Sequence, residues 1–215
     1  FIIKCLRRVA QECIIFRWLW LHLLLSVAKD NNYDKIILGI DPGTNIAGYG
    51  IIGVTKNSME LISMGIFDLR KETDYANKLK AIFEKCTQLM DTYLPDEVAL
   101  EAPFMGKNPQ SMLKLGRAQG VSMAAALNRQ IPVFEYAPLR VKQSVTGKGT
   151  SSKEQVAAMV QVLLNLETKH SKLDATDAVA VAICHHFMNS GGPAKPKESY
   201  GSWASFISKN PDKVK

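Results

Sequence analysis

The sequence predicts an α/β domain in which helices flank a mixed five-stranded sheet. Three short apolar segments rich in β-branched residues follow one another between residues 36 and 67, which is typical of an antiparallel meander. After residue 74, segments with the helical spacing of apolar residues alternate with two more short apolar segments. Strands and helices that alternate in this way usually pack as a sheet covered by helices.

The short apolar segments are interpreted as strands. The first three are separated by turns at Pro42-Gly43 and Asn57-Ser58, since proline fixes φ and glycine permits a positive φ. The last two lie between helical segments, and in this topology the fourth strand is a neighbour of the first. The predicted strands are Ile36–Ile40, Ala47–Val54, Glu60–Phe67, Glu97–Ala102 and Ile131–Tyr136.

The longer segments are interpreted as helices. Ile82 and Cys86 belong to an apolar face with helical spacing, and Pro95 ends that segment. Ser151 with Glu154 predicts a capping box at the start of the fourth helix. The predicted helices are Asp74–Tyr93, Ser111–Asn128, Pro138–Val145, Ser152–Leu164 and Asp174–Met188.

The compact domain is predicted to comprise residues 35–189, and residues 1–34 differ from it in composition. A basic cluster precedes the apolar run Cys13–Ala28, which Arg17 and His22 interrupt. The run is shorter than the roughly 20 residues that span a bilayer. A mispredicted start, an amphipathic membrane-surface helix and an export signal are the three alternatives for this extension. No stable membrane partner is expected.

The segment from residue 190 to 215 is rich in Gly, Pro, Lys and Ser, which predicts a flexible basic tail. Within it, Trp203, Phe206 and Ile207 either form an apolar turn that docks on the domain or belong to a disordered tail.

The net charge favours a polyanionic partner, and the cysteines favour a reducing compartment. The chain of 215 residues has 27 basic and 20 acidic side chains, a net charge of +7, and a basic excess of this size suits nucleic acid. The spacing of the four cysteines matches no zinc or disulfide-exchange pattern, so free thiols are the simplest interpretation.

Two acidic residues follow buried strands. Asp41 comes directly after the first strand and directly before a proline, and Glu101 lies at the end of the fourth strand. A carboxylate in such a place costs free energy unless it is paired, protonated or bound to a cation. Because the two strands are predicted neighbours, we expect these side chains to lie close together. The alternative for Asp41 alone is a turn cap.

Two more acids, Asp174 and Asp177, are three residues apart at the start of the last helix, where they share a face. Individually they could be a helix cap and a first-turn acid. Four carboxylates at one place would repel one another unless divalent cations are bound. Carboxylate oxygens select Mg²⁺ or Mn²⁺ over zinc, and two such ions can promote phosphodiester hydrolysis.

Five motifs in order along the chain resemble the RuvC family of bacterial Holliday junction resolvases, from about Ile36 to His186. They are Gly39–Thr44, Glu101–Asn108, Leu113–Gly120, Glu135–Pro138 and Asp174–Ala178.

The resemblance implies an RNase H-like fold and a cytoplasmic homodimer that nicks four-way DNA junctions symmetrically. Mg²⁺ would be the cofactor, with Mn²⁺ able to substitute and two ions in each site. The RuvA–RuvB branch-migration complex would be a partner. The implied catalytic and metal-binding carboxylates are Asp41, Glu101, Asp174 and Asp177. The expected products carry 5′-phosphate and 3′-hydroxyl ends.

Seven residues are predicted to contact DNA. An aromatic residue beside a nuclease site can stack on an unpaired base, although a phenylalanine there can also belong to the core. A solvated helix face is the alternative for Lys114. The resemblance carries DNA binding and cleavage to Lys142 and Lys153, whereas Lys148 is included for its charge alone. The seven are Phe104, Lys107, Lys114, Arg117, Lys142, Lys148 and Lys153.

Two further expectations concern helices. The small residues of Ser111–Asn128 make this helix the candidate dimer interface. His185 and His186 are interpreted as structural or surface residues, since His185 lies two helical turns, about 12 Å, from Asp177.

Three other function classes compete with a resolvase. ATPases of the sugar-kinase, actin and Hsp70 type begin with a similar Gly-Ile-Asp-x-Gly-Thr motif, but they need a second nucleotide-binding half for which this chain is too short. A non-catalytic junction-binding protein would be favoured if one of the four carboxylates were missing. An RNase H-like nuclease that acts on another nucleic acid such as RNA is compatible with the fold.

Overall fold

The structure is a computed structural model, and it describes residues 33–56, 58–103, 108–166 and 173–189. The strands are β1 (Lys35–Asp41), β2 (Ile46–Val54), β3 (Met59–Asp68), β4 (Glu97–Glu101) and β5 (Val133–Tyr136). The helices are α1 (Tyr75–Tyr93), α2 (Pro109–Asn128), α3 (Pro138–Thr146), α4 (Lys153–Leu163) and α5 (Leu173–Asn189).

The five strands form one mixed sheet, as the sequence predicts, and their order is β3-β2-β1-β4-β5. β1, β2 and β3 are antiparallel neighbours, whereas β4 pairs parallel to β1 and β5 parallel to β4. The β1–β4 ladder pairs Ile40 with Leu100. The carboxyl ends of both strands therefore lie at one edge of the sheet, with Asp41 and Glu101 as their last residues.

The sheet separates two hydrophobic cores. Leu38 and Ile40 point to one face, where buried residues of α1 and α2 pack against them. Ile37 points to the other face, toward α3, α4 and α5. This alternation follows from the two-residue period of a strand, and it places Gly39 and Asp41 on the α5 face as well.

Helix α5 lies in the centre of the second layer, and residues 178–185 are all buried. It approaches β1 very closely at Gly39. A Cβ atom on Gly39 would lie 2.2 Å from the carbonyl oxygen of Ala178 and 2.8 Å from the amide nitrogen of Ala182. The absence of a side chain at this position therefore sets the distance between the helix and the sheet.

The predicted capping box was wrong by one residue. The N-cap of α4 is Ser152, whose hydroxyl accepts from the backbone of Gln155, while the Gln155 side chain accepts from the Ser152 backbone at 2.9 Å. Ser151 is only 6% exposed, and its hydroxyl donates to the carbonyl oxygen of Lys148. Burial of the first serine leaves the second to cap the helix.

Other boundaries differ by one or two residues. α2 begins at Pro109 rather than Ser111, since the Asn108 side chain accepts from two backbone amides of the first turn. β5 begins at Val133 rather than Ile131 because Pro132 has no N–H to donate.

Several predictions lie outside the described residues: those for the extension up to residue 32, for Cys5 and Cys13, and for the tail with Trp203, Phe206 and Ile207. Cys86 and Cys184 are free and buried. Within the described ranges, the helices are all too short or too polar to cross a membrane.

The close approach at Gly39 predicts a large effect of a single methyl group. Gly39→Ala should destabilise the fold by about 2–4 kcal/mol, because backbone atoms of α5 have to move. Urea unfolding would measure the change in the free energy of unfolding. Gly116→Ala in α2 is the matched control, since a Cβ there meets nothing within 4 Å, and it should be neutral or stabilising by up to about 1 kcal/mol. Equal stability of the two variants would contradict this account of α5 packing.

Candidate active site

Three carboxylates meet at the carboxyl edge of the sheet. Asp41, Asp174 and Asp177 each offer an oxygen, and these three oxygens all lie within 4.8 Å of one another. β1 supplies the first and the first turns of α5 supply the other two. The structure thus brings together three of the four acids predicted from the sequence.

Gly48 allows α5 to reach Asp41. It lies opposite Asp41 in the β1–β2 ladder, and a Cβ on it would lie 2.0 Å from the carbonyl oxygen of Asp174. The start of α5 therefore rests directly on the β2 backbone beside Asp41. Sequence reasoning did not identify Gly48, because its importance depends on which helix covers it.

The environment strongly disfavours ionisation of Asp41. Burial raises its pKa, and the charges of Glu101, Asp177 and Asp174 raise it further, to about 8. The nearby charge of Lys153 lowers the pKa but does not offset these effects. A carboxyl group in this state binds a proton or a cation in preference to standing ionised and unpaired.

Glu101 is next to this group but is not one of the three residues that satisfy the 4.8 Å condition. Burial raises its pKa, and with the charge of Asp177 the pKa reaches about 7, although Lys153 and Lys142 act in the opposite direction. Its charge in turn raises the pKa of Asp41. All four predicted carboxylates are therefore electrostatically coupled at one place.

Lys153 lies inside the acidic cluster. Its ammonium group is 2.7 Å from Asp177 Oδ2 and 3.4 Å from Asp174 Oδ1. Burial lowers the pKa of Lys153, but the hydrogen bond to Asp177 and the charges of Asp174 and Asp41 outweigh burial, and the pKa is raised overall. The sequence predicted this lysine as a DNA contact and did not reveal its pairing with the carboxylates. It is the first residue of α4, and only the packing of α4 beside α5 brings it there.

A small cleft of about 140 Å³ opens beside Asp41 and Glu101. Leu115 and Gln119 of α2 line one side of it, and Pro138 at the start of α3 is another lining residue. The Gln119 side chain donates to Glu135 Oε2 at 2.8 Å. Helix α2 therefore borders the site.

The remaining predicted DNA contacts are distributed around this edge. Lys142 on α3 is near enough to Glu101 to lower its pKa. Lys148 and Arg117 are exposed. Lys114 is exposed and lies against α1, with its Nζ 6.0 Å from the centre of the Tyr75 ring.

The other two predicted contacts, Phe104 and Lys107, lie outside the described residues.

His185 is fully buried and lies eight residues beyond Asp177 on α5, about 12 Å along the helix. Its ring nitrogens lie 2.7 Å from the Tyr136 hydroxyl and 2.6 Å from Glu97 Oε2.

Comparison with known proteins identifies the family. Residues 37–185 match the family described as crossover junction endodeoxyribonuclease RuvC. The chain belongs to the RuvC family. The match begins within β1 and ends within α5, so all four carboxylates lie inside it. The resemblance deduced from the five motifs is confirmed.

Curated relatives carry the same description. RuvC of Cytophaga hutchinsonii is 55% identical over 182 residues, which is 85% of this chain and 89% of the relative. RuvC of Bacteroides fragilis is 54% identical over 184 residues, which is 85% of this chain and 97% of the relative.

A solved structure of Thermus thermophilus RuvC in complex with a Holliday junction substrate has the same fold. It matches with a TM-score of 0.68 and 28% identity, over 74% of this chain and 97% of that one. This similarity confirms the predicted RNase H-like fold.

The site suits a divalent cation, and divalent-metal dependence is typical of RuvC-type nucleases. The available donors are carboxylate oxygens, which hard cations prefer. Burial, together with repulsion from the neighbouring carboxylates, raises the pKa of Asp41 to about 8. The Lys153 ammonium group already lies between two of the acids as a positive charge. Asp41, Asp174 and Asp177 are the residues that could hold the ion, with Glu101 beside them.

The raised pKa of Asp41 predicts that the site weakens the fold when no metal is bound. Between its ordinary value of 3.8 and about 8, the folded state retains a proton that the unfolded state has released. Stability is therefore lost as pH rises through this window. Asp41→Asn should stabilise the protein in EDTA by about 1–3 kcal/mol at pH 8, and by less at pH 5.

Urea unfolding at both pH values would measure this difference. Glu84→Gln is the control, since it removes a carboxylate that is 62% exposed and should change stability by less than about 0.5 kcal/mol at either pH. A gain for Asp41→Asn that does not grow between pH 5 and pH 8 would contradict the electrostatic account.

Proposed function

We propose that this protein is a Holliday junction resolvase, a metal-dependent endonuclease that introduces paired symmetric nicks into four-way DNA junctions during recombination and repair. The observation that carries the proposal is the convergence of three carboxylate oxygens within 4.8 Å at the sheet edge, in a chain of the RuvC family. Residues 35–189 form the nuclease domain in this proposal.

Asp41, Glu101, Asp174 and Asp177 are proposed as the catalytic, metal-binding residues. Mg²⁺ is the proposed cofactor, with Mn²⁺ as a substitute and two ions in each site, because the donors are all carboxylate oxygens. When bound, the ions would activate water and stabilise the leaving oxygen of the phosphodiester. The expected products carry 5′-phosphate and 3′-hydroxyl ends.

The protein's own groups have distinct tasks in this scheme. The carboxylates of β1, β4 and α5 hold the cations, and the low exposure of Asp177, 13%, limits competition from bulk water. Lys153 reaches the same place from α4, where its ammonium group can pair with a scissile phosphate once the carboxylates bind cations. Lys142 near Glu101 adds a second positive charge on the α3 side.

Basic residues around the edge are proposed to bind the DNA backbone, and Phe104 to stack on an unpaired base. Lys107, Lys114, Arg117 and Lys148 complete the proposed set. Their contribution should weaken steeply with salt, since binding releases counterions from the phosphates.

A homodimer is proposed because two cuts in strands of like polarity need two sites, and a two-fold assembly suits a two-fold junction. The exposed stripe of α2 supports this. Leu113 and Leu127 are 58% and 59% exposed, and Gly120 and Ala124 lie between them on the same exposed face. Apolar ends and a small-residue centre allow two such helices to pack closely.

The cellular setting follows from the family. The relatives are bacterial, and a bacterial chromosome lies in the cytoplasm, so we propose that the protein acts there. The RuvA–RuvB branch-migration complex is its proposed partner.

Junction cleavage tests the proposal directly. With Mg²⁺, the wild type should cut a synthetic four-way junction by paired symmetric nicks and leave a linear duplex and an RNA–DNA hybrid intact. Asp177→Asn should lower the rate at least about 100-fold, because it removes a group that stabilises charge during the reaction, while junction binding persists. Glu84→Gln is the control and should cut normally.

Two other outcomes of the junction-cleavage test would contradict parts of this proposal. Binding without cleavage in both Mg²⁺ and Mn²⁺ would overturn the catalytic proposal and favour a non-catalytic junction-binding protein. Cleavage of the RNA–DNA hybrid instead of the junction would support the assignment as a nuclease but contradict the proposed junction substrate.

The dimer proposal has its own test. Ala124→Arg places a charged side chain at the centre of the α2 stripe and should convert the dimer to a monomer, as measured by light scattering. Paired cutting should then give way to single nicks. Ala158→Arg, at an exposed position of α4, is the matched control and should remain dimeric. A dimeric Ala124→Arg protein would place the interface elsewhere.

A further inference from the structure

A second polar cluster lies on the α5 side of the sheet, away from the carboxylates. It consists of Lys35, Glu97, His185 and Tyr136. Because a carboxylate only accepts hydrogen bonds, His185 Nε2–H donates to Glu97 Oε2 at 2.6 Å. Lys35 donates to the other oxygen of Glu97 at 2.8 Å, and the Tyr136 hydroxyl is 2.7 Å from His185 Nδ1. His185 is 0% exposed.

The cluster joins the same elements that carry the acidic site. Lys35 and Asp41 are the first and last residues of β1. Glu97 and Glu101 are the first and last residues of β4. By the two-residue period of a strand, both residues of each pair project toward α5.

His185 is eight residues beyond Asp177 on α5, about 12 Å along the helix. β1, β4 and α5 therefore each contribute one residue to the cluster near one end and at least one carboxylate to the acidic site near the other end.

Tyr136 connects the cluster back to the active-site edge. It is the last residue of β5 and pairs with Glu101 in the β4–β5 ladder. Its carbonyl oxygen accepts a hydrogen bond from the amide of Ala102 at 2.9 Å. The residue that bonds His185 through its side chain therefore also holds the backbone next to Glu101.

The packing of α5 explains why such bonds matter. Where the helix approaches the strands most closely, glycines of β1 and β2 face Ala178, Val179 and Ala182 of α5, and larger apolar side chains such as Ile37 and Ile183 pack in the same layer. Apolar contact of this kind is not directional. Hydrogen bonds weaken steeply when distance or angle changes, so the polar cluster around the buried His185 adds a directional restraint on the axial position of α5.

A shift of α5 would act directly on the acidic site. Asp174 and Asp177 move with the helix, whereas Asp41 belongs to the sheet. A displacement of one residue is about 1.5 Å, which is large beside the near-ideal geometry that Mg²⁺ requires.

We propose that Lys35, Glu97, His185 and Tyr136 form a positioning cluster that sets the axial register of α5 against β1 and β4. Through this register it holds Asp174 and Asp177 at metal-binding distance from Asp41. None of the four touches the reacting groups. This inference rests on the proposed metal site, and its first readout is metal affinity rather than cleavage.

The test measures Mn²⁺ binding to the metal-free protein by electron paramagnetic resonance of free Mn²⁺. Tyr136→Phe, which deletes one hydroxyl, and His185→Leu, which deletes both ring hydrogen bonds, should raise the dissociation constant about three- to thirtyfold, with the larger effect for His185→Leu. His185→Gln retains a donor toward Glu97 and should recover part of the affinity. Junction binding in EDTA should be unchanged in all three.

Controls separate positioning from general loss of stability. Ile82→Val and Ile82→Ala weaken the core on the opposite face of the sheet. The first should lower the melting temperature by less than the cluster variants do, and the second by more. Both should leave the affinity for Mn²⁺ within twofold of the wild-type value. If His185→Leu does not fold, Tyr136→Phe still decides the question.

The inference is overturned if Tyr136→Phe and any folded His185 variant bind Mn²⁺ as the wild type does. It is also overturned if the Ile82 variants weaken binding equally at the same loss of stability. If the wild type binds Mn²⁺ but does not cut junctions, only the proposed function is contradicted. The Mn²⁺ dissociation constants of the wild type and the cluster variants can still be compared, so the positioning inference is still tested.

Discussion

Electrostatic repulsion among carboxylates is the constraint on which the site depends. Asp41, Asp174 and Asp177 are held with oxygens within 4.8 Å of one another, and Glu101 is close enough to raise the pKa of Asp41. The fold produces this arrangement by ending β1 and β4 at one edge and starting α5 above it. In the metal-free protein, protonation and the Lys153 ammonium group relieve the repulsion, so the stable fold contains a locally unfavourable site that a cation would complete.

Backbone proximity makes this convergence possible. Glycines of β1 and β2 let α5 lie directly on the strands, with Gly48 beneath Asp174. Apolar contact at this interface is not directional. The buried hydrogen bonds of His185 supply directional contacts that the apolar interface lacks. Packing density and polar contacts thus have separate tasks in the same helix.

Much of the site could be predicted from the sequence because its signals are local. An acid directly after a buried strand indicates Asp41 and Glu101, and a three-residue spacing indicates Asp174 and Asp177. The topology follows from alternating apolar segments. The capping box was wrong because two adjacent serines offer the same pattern, and only the burial of Ser151 selects between them.

Other features depend on tertiary contacts that no local pattern contains. Lys153 was expected at the DNA, and its pairing with Asp177 requires α4 to lie beside α5. Two hydrogen-bond partners of His185, Tyr136 and Glu97, are 49 and 88 residues away in sequence. Gly48 matters only because α5 covers it. The chemistry of the site is therefore encoded locally, whereas its geometry is a property of the assembled layers.

Anomalous diffraction from crystals of the protein soaked in Mn²⁺ tests the central claim most directly. The expected result is a set of Mn²⁺ peaks coordinated by Asp41 together with Asp174 or Asp177, and a Lys153 ammonium group that has left the position between the two α5 acids. A fully occupied Mn²⁺ site elsewhere, with the carboxylates still paired to Lys153, would contradict the claim that this cluster is the metal site.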